Sequence, residues 1–192
     1  MEKLRVALVD EKTERSSDLE AALVAEGYEV VARLAGSADL LAQLHGLAPD
    51  VVIVDMQSPD RDVLEDMQRI YREEPRPIVM FVDESDSESI RAAVSAGVSA
   101  YVVDGLKSRS VQPIIEAAIA RFRAFQALRS ELEAARSSLE ERKLVERAKG
   151  VLMKRRGLGE QEAYDLLRKT AMNRGCKLAD VARQLIHAAE LL

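Results

Sequence analysis

Short apolar runs alternate with segments of helical periodicity through about the first 120 residues of the chain. The run VVIV is hydrophobic at every position, which is typical of a strand buried on both faces of a parallel sheet. Gly27, Gly46 and Gly97 follow three of the helical segments, where helices commonly end. Residues 1–122 are therefore predicted to form a flavodoxin-like α/β domain with a five-stranded parallel sheet. The predicted strands are residues 4–9, 28–34, 51–54, 78–82 and 100–103.

A second hydrophobic pattern continues from about residue 110 to residue 155 and predicts one long helix. Its apolar positions recur at spacings of three and four, at Ile115, Ala118, Phe122, Phe125, Leu128, Leu132, Ala135 and Leu139. Such spacing is typical of a coiled coil, so residues 123–139 are predicted to be a linker helix that pairs in parallel with a second copy of the chain. Packing of this stripe against the chain's own first domain is the alternative.

The end of the chain, residues 140–192, contains three amphipathic patterns that predict helices over 141–155, 160–173 and 177–192. Glycines separate the patterns, at Gly157, Gly159 and Gly175. About fifty residues are enough for a compact three-helix domain, although its core is small. The organisation is therefore an α/β domain, a linker helix and a small all-α domain.

Charge is distributed unevenly between these parts. Residues 1–122 carry 13 Lys and Arg against 23 Asp and Glu, whereas residues 140–192 carry 12 against 8. The corresponding formal charges are −10 and +4. A basic C-terminal part indicates contact with a polyanion. Ordinary scatter of surface charge is the alternative that the counts leave open.

Several classes of protein are disfavoured by composition. No stretch approaches the roughly 18 consecutive apolar residues of a membrane span. The opening residues lack the apolar core and cleavage site of a signal peptide, so a cytoplasmic protein is expected. Cys176 is the single cysteine, which excludes a disulfide framework, and we expect it to be a buried thiol.

Carboxylates follow two of the predicted strands. Asp10 and Glu11 end the first strand, and Asp55 ends the third. In the flavodoxin-like strand order these two strands are neighbours, and ligands bind beyond their carboxyl ends. Oxygen-only ligands suit Mg²⁺, and one carboxylate of such a site can act as a nucleophile toward a phosphoryl group.

The motifs LVDE, VVIVDMQSP and SAGVSAYVV resemble those of the receiver domains of bacterial response regulators. The resemblance covers residues 3–122. It implies that Asp55 stands at the phospho-acceptor position and that Asp10 and Glu11 are acidic partners of Mg²⁺.

Two positions depart from the receiver pattern. Val82 stands where receivers usually carry Ser or Thr, and Asp104 stands where they usually carry Lys. Val82 has no hydroxyl to bond a phosphoryl oxygen, and Asp104 adds a negative charge to a site that already holds three carboxylates. We therefore expect a partner protein to be the main input to this domain, with phosphorylation of Asp55 as the alternative.

Basic and polar residues lie outside the apolar stripes of residues 140–192. Lysines suit phosphate groups, and an aromatic ring beside guanidinium groups suits stacking on unpaired bases. The candidate RNA-binding residues are Lys149, Lys154, Arg155, Arg156, Tyr164, Arg168, Lys169, Asn173 and Arg174. A solvated basic face, with Tyr164 half in the core, is the alternative.

The segment from Leu144 to Ile186 resembles the ANTAR domain, the RNA-binding output module of AmiR- and NasR-type antiterminators. The matching motifs are AKG, LM, EAY, LR and LADVA, within residues 138–190. The resemblance, rather than composition, selects RNA, and it implies binding to paired hairpin loops of a messenger leader so that a terminator does not form. A receiver with the motifs FVDESD and AYVVDGL, joined to such a module, is most similar to NasT-type regulators of nitrate assimilation. This resemblance implies a nitrate-sensing partner protein of the NasS type.

Two other classes of function compete with this interpretation. The segment LADVARQLI faintly resembles a helix-turn-helix, which would make the chain a DNA-binding response regulator. The helix that contains it ends in the apolar and acidic HAAELL, which disfavours a recognition helix. A phosphatase-like enzyme would need a positioned general acid and a phosphate-binding loop, and the sequence supplies neither. We therefore expect a regulator without enzymatic activity.

Overall fold

The computed structural model describes residues 3–10, 13–35, 40–103 and 111–190. Contacts divide the chain into two compact units, unit 1 (Met1–Gln126) and unit 2 (Ala127–Leu192). Within the described residues, no helix has the length and apolar character needed to cross a membrane.

Unit 1 contains a parallel sheet with the strand order β2-β1-β3-β4-β5. This order confirms the predicted flavodoxin-like fold, and the predicted strands differ from the observed ones by at most two residues at either end. The described strands are β1 (Arg5–Asp10), β2 (Glu29–Ala35), β3 (Val51–Met56), β4 (Ile78–Val82) and β5 (Ala100–Val103). All six residues of β3 are buried, as expected of a central strand covered on both faces.

Helices cover both faces of this sheet. Unit 1 contains α1 (Thr13–Ala25), α2 (Leu40–Leu47), α3 (Arg61–Glu73), α4 (Ser87–Ser95) and the first part of α5 (Gln112–Arg156). Alternate residues of a strand face opposite sides, so Val9 packs with residues of α2, α3 and α4, whereas Leu8 packs with residues of α1 and α5. Each fully buried Leu or Ile side chain of these two cores contributes about 1.5–3 kcal/mol.

Two helix ends show how local sequence controls the chain reversals. Gly97 has a φ of +93°, and a Cβ at this position would overlap the Tyr71 ring, so only glycine fits. Gly46, predicted as a helix end, instead lies within α2. The last turn of α2 closes through the Ala48 amide, which donates to the Leu44 carbonyl at 2.9 Å, and Ala48 takes the positive φ of 44°.

Unit 2 contains the C-terminal part of α5 with α6 (Glu160–Arg174) and α7 (Leu178–Glu190). The predicted separate helix over 141–155 is therefore the end of α5, because the helix continues through Gly150 and no turn interrupts it before Gly157. A small core unites the three helices through Ala148, Leu152, Leu167 and other apolar residues. Residues 191–192, predicted to end the last helix, lie outside the described residues.

The middle of α5 carries an exposed apolar stripe. Phe125, Leu128, Leu132 and Leu139 are 55%, 63%, 50% and 53% exposed, respectively. These side chains form an apolar stripe on a helix of 45 residues. A contiguous apolar patch of this kind is typical of a surface that contacts another protein. Pairing with a second copy stays a prediction.

Candidate functional sites

Two carboxylates of the predicted acidic crevice lie side by side in unit 1. Asp10, the last residue of β1, is the register partner of Asp55 in β3, so both stand at the carboxyl ends of neighbouring strands. Asp55 is only 1% exposed. Their oxygens are of the kind that Mg²⁺ prefers, so this pair fits a magnesium site. Glu11 lies outside the described residues, within which no cluster of three or more potential metal ligands occurs.

A guanidinium group from β2 reaches the same crevice. Arg33 Nη2 lies 3.9 Å from Asp10 Oδ2, and Arg33 Nη1 donates to Glu20 Oε2 at 3.2 Å. The cation offsets part of the negative charge that Asp10 and Asp55 bring together. Arg33 was not predicted as a site residue, although an arginine inside the apolar run VVARLA is the signal that marks it.

Val82 ends β4 and is buried, with Met56 and Val103 as its neighbours in the sheet. Its hydrocarbon side chain offers no hydrogen bond to a phosphoryl group at this strand end. Asp104, the second departure from the receiver pattern, lies outside the described residues.

The loop that follows β4 is fixed by hydrogen bonds to the residue after β3 and to β5. The amides of Asp83 and Glu84 both donate to the Gln57 carbonyl at 3.1 Å. Ser85 Oγ and the Tyr101 hydroxyl are 2.8 Å apart, which joins the loop to β5. The Ser85 and Tyr101 hydroxyl groups are therefore hydrogen-bonded to each other.

Lys149 differs from its predicted role as a phosphate contact. It is 8% exposed, and its Nζ donates to Glu146 Oε1 and to Glu160 Oε1, both at 2.8 Å. The hydrogen bonds to Glu146 and then Glu160 raise the pKa of the Lys149 ammonium. Lys149 thus joins α5 to the first turn of α6, and helical spacing alone did not reveal that two acidic residues enclose it.

Two arginines of α5 also bond within unit 2. Arg155 Nη2 donates to the Ala189 carbonyl at 2.5 Å, near the C-terminal end of α7. Arg147 Nη2 donates to Glu190 Oε1 at 2.7 Å. Cations near a helix C-terminus interact favourably with its dipole. Arg155, predicted to bind RNA, therefore also holds α7 against α5.

The remaining predicted RNA-binding residues do not share one face. Tyr164 is half-buried, and Arg168, one turn further along α6, is exposed. Arg174 lies about 120° from Arg168 around the helix, and its Nη1 donates to Gln184 Oε1 of α7 at 3.0 Å. Four other predicted residues are exposed: Lys154, Arg156, Lys169 and Asn173.

Cys176 was expected to be a buried thiol, and this expectation is wrong. The side chain is exposed directly after the end of α6. Gly175 ends α6 with a φ of +62°, and the amide of Cys176 donates to the Ala171 carbonyl at 3.1 Å. The turn places residue 176 on the surface.

Comparison with known families assigns both units. The response regulator receiver domain model matches residues 6–116, and the ANTAR domain model matches residues 133–186. The chain is a response regulator of the receiver–ANTAR type. Both families are regulatory rather than catalytic, and this membership gives the chain a regulatory role.

The match to one relative extends over both domains. The transcriptional regulatory protein PdtaR of Mycobacterium tuberculosis is 34% identical over 184 residues, which cover 95% of this chain and 89% of the relative. The nitrate regulatory protein of Klebsiella oxytoca is 43% identical over 61 residues, which cover 32% of this response regulator and 15% of the relative.

Solved structures match the fold of the receiver. A CheY-like receiver domain protein from Methanospirillum hungatei is 20% identical with a TM-score of 0.55, and the match covers 64% of this chain and 98% of that one. The receiver domain of a modulated diguanylate cyclase from Desulfovibrio desulfuricans gives the same identity, coverage and TM-score. At this identity the likeness concerns the fold alone.

Proposed function

We propose that this response regulator binds hairpin RNA in messenger leaders and prevents terminator formation, which allows transcription to continue. The observation that carries the proposal is the ANTAR match over residues 133–186, in a unit whose exposed side chains include a group of cations. The cations are suited to phosphates, and Tyr164 beside Arg168 is suited to stacking on a splayed base.

The RNA contacts are proposed to come from the exposed predicted residues. These are Lys154, Arg156, Arg168, Lys169, Asn173 and Arg174, with Tyr164 as the aromatic platform and Arg155 at the edge. Lys149 is left out of this set because two carboxylates enclose its ammonium group. Its contribution to RNA binding is indirect, through the placement of α6 against α5.

The receiver is proposed to respond mainly to a partner protein. Val82 supplies no hydroxyl to bond a phosphoryl oxygen at the end of β4, which disfavours efficient phosphoryl signalling. Asp10, Glu11 and Asp55 would hold Mg²⁺, which would supply charge neutralisation for any phosphoryl group at Asp55. The proposed input is a nitrate-sensing protein of the NasS type, and the 43% identity with the Klebsiella nitrate regulatory protein supports nitrate control.

A homodimer is proposed to form through residues 123–139. The half-exposed Leu132 and Leu139 lie seven residues apart, which returns them to the same side of a paired helix. Two hairpin loops in one leader would then meet two ANTAR domains. Simultaneous binding of linked sites raises the effective concentration of the second contact.

The experiment that tests RNA binding starts from a pool of hairpin RNAs with randomised loops, selected by the full chain. We expect enriched hairpins that bind far more tightly than duplex DNA of the same sequence at the same salt concentration. Equal or tighter binding of duplex DNA would instead support the alternative, a DNA-binding response regulator with a trihelical output domain. Arg168→Ala with Lys169→Ala should weaken hairpin binding, whereas Arg183→Ala, which removes an arginine paired with Asp180, is the control.

The partner is tested by affinity purification of the full chain from cells grown with and without nitrate. We expect one protein to co-purify without nitrate and to dissociate when nitrate is added to the purified complex. Co-purification that nitrate does not change would contradict nitrate control and leave RNA binding unaffected.

A further inference from the structure

A cleft of about 380 Å³ opens between the end of α5, α6 and α7 in unit 2. Its floor is apolar and includes Leu167 and Val181, which are 2% and 6% exposed. Its lining also includes Arg156 and Arg174, and Gln184 from α7. An apolar surface with a few placed polar groups is the usual composition of a small-ligand site, and this volume is at the small end of the usual range.

Polar groups of this cleft are already oriented. Arg174 Nη1 donates to Gln184 Oε1 at 3.0 Å, so the last residue of α6 fixes the side-chain amide of α7. A hydrogen bond that fixes the amide oxygen also fixes the direction of its NH₂ group, which can donate to a ligand. Pre-oriented groups reduce the entropy lost on binding.

The charge of the cleft indicates the chemistry of its ligand. Two guanidinium groups line it, and none of its described lining residues is acidic. Guanidinium groups bind phosphates through paired hydrogen bonds and stack on flat rings. The apolar floor suits a flat ring, so a ring that carries a phosphate matches both features.

We propose that this cleft binds one unpaired nucleobase of the target RNA, with Arg156 and Arg174 on its phosphate and Gln184 on its hydrogen-bonding edge. The inference rests on the proposed RNA-binding function and adds the place where a base is read. This site is separate from the pair Tyr164 and Arg168, because Arg174 lies about 120° from Arg168 around α6. The two surfaces would contact different nucleotides.

Two neighbouring residues of α7 provide a matched test. Ala188 lines the cleft and His187 does not, and both are exposed. Ala188→Trp fills the cleft, whereas His187→Trp adds the same ring outside it. The probe is a hairpin RNA selected by the full chain, with 2-aminopurine placed at each loop position in turn, and the measurements are affinity and fluorescence.

The wild-type chain is expected to change the fluorescence of one loop position. Ala188→Trp should abolish that change and weaken binding by about fivefold to about 150-fold, the range for loss of one held base. His187→Trp should retain both the fluorescence change and the RNA affinity of the wild type. Equal binding by the two variants, with the fluorescence change kept, would overturn the cleft assignment and leave RNA binding intact. Absence of any selected hairpin would overturn the function and the inference together.

A second variant addresses folding and oligomeric state. Gln184→Ala adds no volume, and it should reduce discrimination among the four bases at the same loop position. Unchanged discrimination would overturn the assignment even if Ala188→Trp fails to fold. A lower sedimentation mass for folded Ala188→Trp than for His187→Trp would also overturn it, because the cleft would then be a contact with a second copy.

Discussion

Lys149 Nζ lies 2.8 Å from Glu160 Oε1, and this ion pair joins α5 to the first residue of α6 in the ANTAR domain. The same ammonium group donates to Glu146. A lysine that looks like a nucleic-acid contact in the sequence therefore has a structural role, because its charge is already bound by two carboxylates.

Lys149→Ala is expected to lower the melting temperature of the ANTAR domain, because it leaves Glu146 and Glu160 facing each other without the cation between them. Lys154→Ala, on the same helix and exposed, is the matched control. It should leave the melting temperature unchanged and reduce the salt dependence of RNA binding by about one unit of slope. A Lys149→Ala variant with normal stability and a reduced salt slope would contradict the structural role.

The same ion pair predicts a pH dependence of stability. The hydrogen bond and charge of Lys149 lower the pKa of Glu160 below its ordinary value. The stabilisation is therefore present above the ordinary pKa of a glutamate and is lost as the pH falls through the lowered value. Glu160→Gln should be less stable than the wild type near about pH 6, and the difference in melting temperature should shrink toward about pH 3. A difference that stays constant over this range would be inconsistent with an ionised pair.

Asp55→Ala is expected to leave the regulation of RNA binding largely intact. Val82 stands where receivers usually carry Ser or Thr, so no hydroxyl at this position can bond a phosphoryl oxygen on Asp55. The measurement is RNA affinity with and without Mg²⁺ and acetyl phosphate, beside a mass spectrum that reports phosphorylation. We expect a change of less than about tenfold, which is below about 1.4 kcal/mol. A larger change in the wild type, absent from Asp55→Ala, would show that the receiver is a phosphorylation switch.

Leu132→Arg with Leu139→Arg should disrupt the proposed dimer, since each places an unpaired charge in the helix seam. An uncompensated buried charge costs several kcal/mol, so the dissociation constant should rise by more than about tenfold. Ser130→Arg with Ser137→Arg is the control, because these residues lie on the opposite side of the heptad pattern. Sedimentation equilibrium measures both, and an unchanged mass for the leucine variant would rule out this seam.

Much of the fold was predictable because its signals are local. Strand periodicity predicted β4 and β5 at their observed bounds, and the positive φ of Gly97 and Gly175 follows helix ends that the sequence marks with glycine. The failures have a different origin. Gly46 does not end α2, because the Ala48 amide closes one more turn.

The site was less predictable than the fold because contacts between elements control it. Helical spacing grouped Lys149 with the other cations, whereas α6 supplies Glu160 from eleven residues away and removes Lys149 from that set. Arg33 was missed for the same reason, since its proximity to Asp10 depends on the pairing of β1 with β2. Periodicity assigns a residue to one face of a helix or strand, and only the tertiary structure shows which residues that face contacts.

The proposed function is that the chain binds leader RNA and thereby prevents termination. Single-round transcription through a leader that carries a selected hairpin pair upstream of a terminator tests it most directly, with the full chain added to purified polymerase. Read-through is expected to rise with protein concentration in parallel with RNA binding, and Arg168→Ala with Lys169→Ala should shift both curves together. Unchanged read-through at concentrations that saturate the RNA would contradict it.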